Sequence, residues 1–255
     1  SLGFSEIITY SFISPSAYDM IRRPADDPMR NNLRIINPLG EDTSVMRACA
    51  IPCMMDVLGR NWANRTRAAR LYELATVYLP QEGQPQPKEP KRLILGAYGE
   101  GEDFFTLKGA VESILRILHT LPASFSAETN DPTFHPGRCA TVSINGQKVG
   151  ILGQIHPLAA ANYGIDTEVY VAALDFTALQ GLLAPEAFYQ PLPRFPTVSR
   201  DIAVVCDAGI PVARLEDVIR AGGGPLLRSV ELFDIYQGSH IPAGKKRVAF
   251  SLEMR

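Results

Sequence analysis

Ala140-Thr141-Val142-Ser143-Ile144-Asn145-Gly146-Gln147-Lys148-Val149-Gly150-Ile151-Leu152 sets an Asn-Gly pair between two runs rich in β-branched and apolar residues. Asn and Gly tolerate the positive φ that a two-residue hairpin turn needs at both central positions, and that turn matches the twist of the flanking strands. Two antiparallel strands are therefore expected here. Upstream, Leu71–Leu79 and Leu93–Tyr98 have strand composition and flank a loop rich in Pro, Gln and Glu, Pro80 to Pro90, which makes a second pair. Between the pairs, Val111, Ile114, Leu115 and Leu118 recur at helical spacing from Leu107 onward. Glu6–Phe12 is β-branched and aromatic, so a strand is expected there. Ser44–Trp62 is expected to be a helix with Pro52 near its first turn, capped by the polar segment that follows Asn37-Pro38. Sequence-adjacent strand pairs interrupted by helices give an α+β class with an antiparallel sheet.

A second unit follows. Pro185, Pro191, Pro193 and Pro196 stand within twelve residues, and no helix crosses such a stretch. Residues 185–197 are expected to be an extended linker whose Phe188, Tyr189 and Phe195 pack on a neighbouring surface. Beyond it come a strand at Asp201–Cys206 and a helix face of Val212, Leu215, Val218 and Ile219, stopped by Gly222-Gly223-Gly224-Pro225. Strands at Glu231–Tyr236 and Arg247–Arg255 complete the run. The order β-α-β-β is the first two-thirds of a ferredoxin-like unit. The expected domains are 1–184 and 198–255, the second incomplete, in a chain cut from a longer polypeptide that begins without Met.

Composition excludes several classes. Hydrophobic residues make up 46% and charged residues 20% of the 255, as in globular proteins. No apolar run reaches the roughly 20 residues a membrane span needs. The net charge is −2, and residues 186–255 hold nine Lys/Arg against eight Asp/Glu, without the basic excess of a nonspecific nucleic-acid binder. Cys49, Cys53, Cys139 and Cys206 and the scattered His119, His135, His156 and His240 do not make zinc-ligand spacing, so reduced, buried thiols and no metal site are expected. Gly96-Ala97-Tyr98-Gly99-Glu100-Gly101 lacks the glycine order of a nucleotide-binding loop and is expected to be a turn. Phe134-His135-Pro136-Gly137-Arg138 pairs a His with an Arg, which could support acid–base or anion chemistry, against the plainer reading of a Pro-Gly turn. His156-Pro157 is expected to end a strand in a turn.

Taken in order, these segments resemble one family. Gly3-Phe4-Ser5-Glu6-Ile7-Ile8-Thr9-Tyr10-Ser11-Phe12, Asn37-Pro38-Leu39 through Met46-Arg47, Leu71-Tyr72-Glu73-Leu74, Leu107-Lys108-Gly109, Phe134 to Arg138 and Gly150 to Pro157 look like the catalytic-like module of the phenylalanyl-tRNA synthetase β subunit, bacterial type. Tyr189 to Ala203, Leu232 to Gly238 and Gly244-Lys245-Lys246-Arg247 are similar to that subunit's ferredoxin-fold anticodon-binding domain. The resemblance implies a class II synthetase-like antiparallel sheet with helices, then a truncated ferredoxin-like domain. It also implies a role in attaching phenylalanine to its tRNA, as a scaffold for the catalytic α subunit in a cytoplasmic (αβ)2 heterotetramer.

Class II sites hold the triphosphate with Arg from two motifs. At the counterpart of the first, Leu71–Tyr78, this chain has no Arg within the strand, Arg70 preceding it. At the counterpart of the second, Val169–Phe176, it has neither Arg nor a Gly run. No catalytic residue and no cofactor is therefore expected in this chain, while ATP and Mg²⁺ are expected in the whole enzyme. For tRNA contact the candidates are Arg200, Tyr236, Lys245 and Lys246. The alternatives are a stand-alone RNA-binding module and an enzyme using His135 and Arg138.

Overall fold

A computed structural model describes residues 2–184 and 196–255. In chain order it forms β1 (Ser5–Glu6), β2 (Phe12–Ile13), α1 (Ala17–Met20), β3 (Val45–Met46), α2 (Ile51–Ala63), β4 (Ala69–Thr76), β5 (Lys91–Tyr98) and α3 (Phe104–Ile117). There follow β6 (Ala123–Ala127), β7 (Phe134–Ile144), β8 (Gln147–Ile155), α4 (Pro157–Asn162), β9 (Tyr170–Asp175) and α5 (Phe176–Gln180). The rest is β10 (Val198–Asp207), α6 (Val212–Gly223), β11 (Leu227–Tyr236) and β12 (Lys245–Met254). The chain divides into two compact units, Ser1–Glu186 and Ala187–Arg255. Of the expected linker, Pro185 to Phe195 lie outside the described residues.

In the first unit seven strands run in the order β1-β4-β5-β9-β8-β7-β6. Every pair is antiparallel except β1 with β4, which is parallel and makes the sheet mixed. The hairpin turn sits where expected: Asn145 (φ 51) and Gly146 (φ 77) are both left-handed. Because side chains alternate across a strand, each central strand feeds both faces. Ile94, Ile151, Val171 and Ala173 pack with α2 through Met54, Met55 and Leu58. Leu95, Leu152, Ala172 and Leu174 pack with α3 through Leu107, Val111 and Leu115. The helix α3 starts on a capping box between Asp103 and Thr106.

Close packing fixes several glycines. A Cβ on Gly153 would stand 2.5 Å from the Arg138 carbonyl and 2.8 Å from Cys139 Cα, where β7 bulges over its neighbour. Side chains there would push backbone against backbone.

Three expectations are corrected. The helix expected over Ser44–Trp62 begins only at Ile51, because Val45–Met46 pairs with Phe12–Ile13 as β3 and Pro52 lies in the first turn. Its N-cap is Ala50, without a side-chain cap, so the polar segment caps nothing in α2. The strand expected over Glu6–Phe12 is broken into Ser5–Glu6 and Phe12–Ile13, since Thr9 between them turns to a side chain for its hydrogen bonds: its N–H and hydroxyl both donate to Glu73. The Phe134–Arg138 segment is a bulge inside β7 rather than a turn between elements: Phe134 pairs with Ile155 and Cys139 with Gly153, so four residues oppose one. His156, in turn, ends β8 and caps the short α4, its Nδ1 accepting from the Leu158 N–H at 3.1 Å.

In the second unit the order is β10-β12-β11, all antiparallel, with α6 on one face. Val248 and Phe250 of the central strand are fully buried against Ile202, Val204, Leu215 and Ile219. Gly224 (φ 55) stops α6, as the triple glycine leads one to expect. Among the described residues, β10 and β11 each pair only with β12, leaving two strand edges.

Candidate functional site

Cross-strand partners share a sheet face, so register places the four tRNA candidates. Arg200 pairs with Leu252, and Lys246 with Cys206, on the side that packs α6. Lys245 pairs with Asp207, and Tyr236 with Arg247, on the open side. The four are thus split between two faces. The open face also carries Asp201, Glu231, Asp234 and Glu253. Its two cations are engaged: Lys245 lies 3.7 Å from Asp207, and Arg247 2.9 Å from Asp234 while its guanidinium covers the Tyr236 ring. Along the paired residues five carboxylates stand against these two paired cations, with Arg255 two residues after Glu253, just past the strand end, so that face is acidic.

His135 and Arg138 do not build a catalytic pair. The His135 Nδ1 accepts from the Gly137 N–H at 3.0 Å. Arg138 donates to Gln154 at 2.9 Å and to Glu168 at 2.6 Å. The Tyr170 hydroxyl donates to the other Glu168 oxygen at 2.5 Å. These bonds, Tyr170 first, hold Glu168 below the usual carboxylate range, while burial pushes the Tyr170 phenol up to about 12. Arg138 and Tyr170 thus converge on the two Glu168 oxygens, and His135 turns its Nδ1 to the Gly137 backbone.

A different place gathers unspent charge. On the α2 face of the first sheet a cavity of about 390 Å³ is lined by Arg23, Arg92, Lys148, Asp131 and Asp175 over an apolar floor that includes Ile94, Ile151 and Ala173. Arg92 is ion-paired with Asp175, its register partner across β5 and β9. Arg23 bonds Asp131 at 2.9 Å and lies 3.6 Å from Asp27. The buried Arg23 Nε has no hydrogen-bond acceptor among the described residues. Ala48 to Ile51, where α2 begins, form part of the wall. Neither guanidinium comes from the two stretches, Leu71–Tyr78 and Val169–Phe176, that lack Arg. Arg92 follows the same alternation as Ile94 along β5, a signal the sequence held, whereas Arg23 arrives from the loop after α1 and left none. The place of Arg70 is corrected. It lies inside β4 rather than before it, and Glu102 takes it up at 2.5 Å.

A further feature of this unit is apolar and exposed. Ile8 and Tyr10 are 91% and 77% accessible, and Ile36 and Leu39 100% and 98%. The two loops flank one short ladder, in which β2 pairs with β3 and β3 bridges to Arg34. The thiols of Cys49, Cys53 and Cys139 are buried and form no disulfide among the described residues, whereas Cys206, expected to be buried like them, is free but half-buried at the α6 face of β10. Among the described residues no helix is long and apolar enough to cross a membrane, and no three His, Cys, Asp or Glu side chains gather as a metal requires.

Residues 1–176 match the family described as "Phenylalanyl tRNA synthetase beta chain CLM domain", and residues 193–255 match "Ferredoxin-fold anticodon binding domain". The chain is 42% identical over 256 residues to the phenylalanine–tRNA ligase β subunit of Clostridium acetobutylicum, covering 100% of itself and 32% of that protein. To the β subunit of Symbiobacterium thermophilum it is 39% identical over 264 residues, covering 99% of itself and 30% of that protein. To that of Moorella thermoacetica it is 41% identical over 260 residues, covering 98% and 32%. The chain spans about a third of the length of these relatives. With a mixed sheet followed by a ferredoxin-fold anticodon-binding domain, the chain belongs to the phenylalanine–tRNA ligase β-subunit family.

Proposed function

We propose that residues 1–184 serve as a non-catalytic scaffold for the catalytic α subunit of phenylalanine–tRNA ligase in an (αβ)2 assembly, and that residues 198–255 help to hold phenylalanine tRNA by its anticodon. The observation that carries the scaffold is the exposed Ile8, Tyr10, Ile36 and Leu39 on adjoining loops. Ile8, Ile36 and Leu39, almost wholly in water, add little to the fold of this unit, while Tyr10 stacks on Phe12 and still exposes most of its ring. Covering them stabilises a complex by roughly 25 cal/mol per Å² of apolar surface.

The cavity supports the non-catalytic part of the reading. Its three cations stand against three carboxylates, Asp131 and Asp175 in the wall and Asp27 beside Arg23, 3 − 3 = 0, with Arg23 and Arg92 already bridged. A triphosphate carries several negative charges and needs guanidinium groups and Mg²⁺ free to meet them. ATP does not fit this donor set, so the ATP and Mg²⁺ chemistry of the whole enzyme belongs with the α subunit. The buried unpaired thiols go with a cytoplasmic location.

The test pairs two measurements. The purified chain is expected to show no phenylalanine-dependent ATP–pyrophosphate exchange and to co-purify with the α subunit. Ile8→Asp combined with Ile36→Asp is expected to abolish co-purification while leaving the melting temperature within a degree or two. Exchange by the chain alone, or undiminished co-purification of the double variant, refutes the proposal.

A further inference from the structure

The cavity on the α2 face has three separate features that favour one small anion. The first is the helix end. α2 is 13 residues long and starts at Ala50 with no side-chain cap, and its second residue, Pro52, has no N–H. Ala48 to Ile51 form part of the wall, so the positive end of the helix dipole opens on the cavity with no acid in the helix's own first turn, although the Ala48 N–H is already spent on the Tyr18 hydroxyl. The second is Arg23, whose side chain is only 9% accessible and whose Nε–H lacks an acceptor among the described residues. A buried donor without a partner destabilises the state that contains it, and an anion placed beside it removes that penalty. The third is Lys148, an exposed residue on β8 that lines the cavity and forms no ion pair among the described residues. It supplies the positive charge that no carboxylate already bridges, Arg23 being met by Asp131 and Asp27 and Arg92 by Asp175.

What the site rejects follows from the same inventory. Asp131 and Asp175 sit in the wall and repel a second negative charge, so a dianion or a polyphosphate is disfavoured. The floor of Ile51, Ile94, Ile151 and Ala173 excludes a small, strongly hydrated ion and suits a short branched hydrocarbon. We infer that this cavity is a binding site for a small organic monocarboxylate, its carboxylate between the α2 N-terminus, Arg23 Nε and Lys148, and its apolar body on the sheet. The inference goes beyond the scaffold reading and stands or falls apart from it.

The probes are 4-methylpentanoate, its neutral analogue 4-methylpentanamide, and inorganic phosphate, titrated into the 255-residue chain and followed by backbone amide shifts. The carboxylate is expected to move the amides of Ala48 to Ile51 and of Gly150 and Ile151, with a Kd at least tenfold below that of the amide or of phosphate. Lys148→Met lies on an exposed strand position and keeps the fold. It is expected to weaken carboxylate binding about fivefold or more and leave the amide unchanged. No shift with millimolar carboxylate, equal binding of carboxylate and amide, or equal carboxylate binding by Lys148→Met overturns the inference.

Discussion

Arg47 and Glu73 place opposite charges where water does not reach, their side chains 3% and 6% accessible. The guanidinium donates to Glu73 at 2.9 Å, to the Thr9 hydroxyl at 2.7 Å and to the Thr76 carbonyl at 2.9 Å. The Thr9 hydroxyl in turn donates to Glu73 at 2.8 Å. Three segments distant in sequence thus meet on one ion pair, and each charge is tolerable only because the other is there. Glu73→Ala leaves Arg47 charged and buried, and is expected to cost about 3–5 kcal/mol in urea unfolding. A loss under about 1 kcal/mol would mean water enters the site. His156 gives a pH effect of known sign. Its Nδ1 must be unprotonated to accept from Leu158 N–H. Burial first, then Arg22 and His135, lower its pKa below the ordinary value. The unfolded chain therefore binds the proton more readily. The stability this contributes is complete above the unfolded value of about 6.5 and is lost as pH falls toward the lowered one. His156→Asn can still cap α4 but does not titrate, so its melting temperature is expected to vary less than wild type between about pH 7.5 and pH 5.

At the scale of elements, two glycines separate close packing from mere flexibility. Gly153→Ala sets a methyl against the Arg138 carbonyl and the Cys139 backbone, neither of which can rotate away. It is expected to destabilise by about 1–3 kcal/mol. Gly109 lies in the middle of α3, and nothing comes within 4 Å of the place an alanine methyl would take there. Gly109→Ala is expected to stabilise by up to about 1 kcal/mol, the helix-propensity difference. Thermal or urea unfolding of the two variants must give opposite signs. The same contrast explains what could be read beforehand. The hairpin at Asn145-Gly146 and the helix stop at Gly224 are local matters of φ, and were legible. β9 is not among the strands expected from the sequence, although β5 and β8, on either side of it in the sheet, were legible from composition and the Asn-Gly turn. The start of α2 was not, because Val45 and Met46 are claimed by a partner strand some thirty residues earlier. The β7 bulge was hidden for a similar reason, since Pro136 and Gly137 have the same composition in a turn as in an outward loop of a strand. The charged cavity escaped notice because Arg23, Arg92, Lys148 and Asp131 come from four stretches that only the fold unites.

For the whole molecule, charge bears on tRNA binding more than fold does. The sheet of the second unit opens with Asp201, Asp207, Glu231, Asp234 and Glu253 against Lys245 and Arg247, both already paired. Phosphates approaching that face would be repelled, because screening over about 10 Å at 0.1 M salt leaves adjacent charges felt. Cations on the α6 side, among them Arg200 and Lys246, are not set among those acids. Among the described residues Arg200 donates only to the Ser199 carbonyl next to it and meets no carboxylate. An anticodon stem held by this unit is therefore expected to lean on Arg200 and Lys246 more than on Lys245. Filter binding of phenylalanine tRNA should fall severalfold for Arg200→Ala and for Lys246→Ala, each also reducing the dependence of log Kd on log salt by about one phosphate contact. Lys245→Ala, whose charge Asp207 already offsets, should change affinity less than twofold. The opposite ranking would put the RNA on the open face and require Asp207 and Asp234 to let go of their partners when it binds.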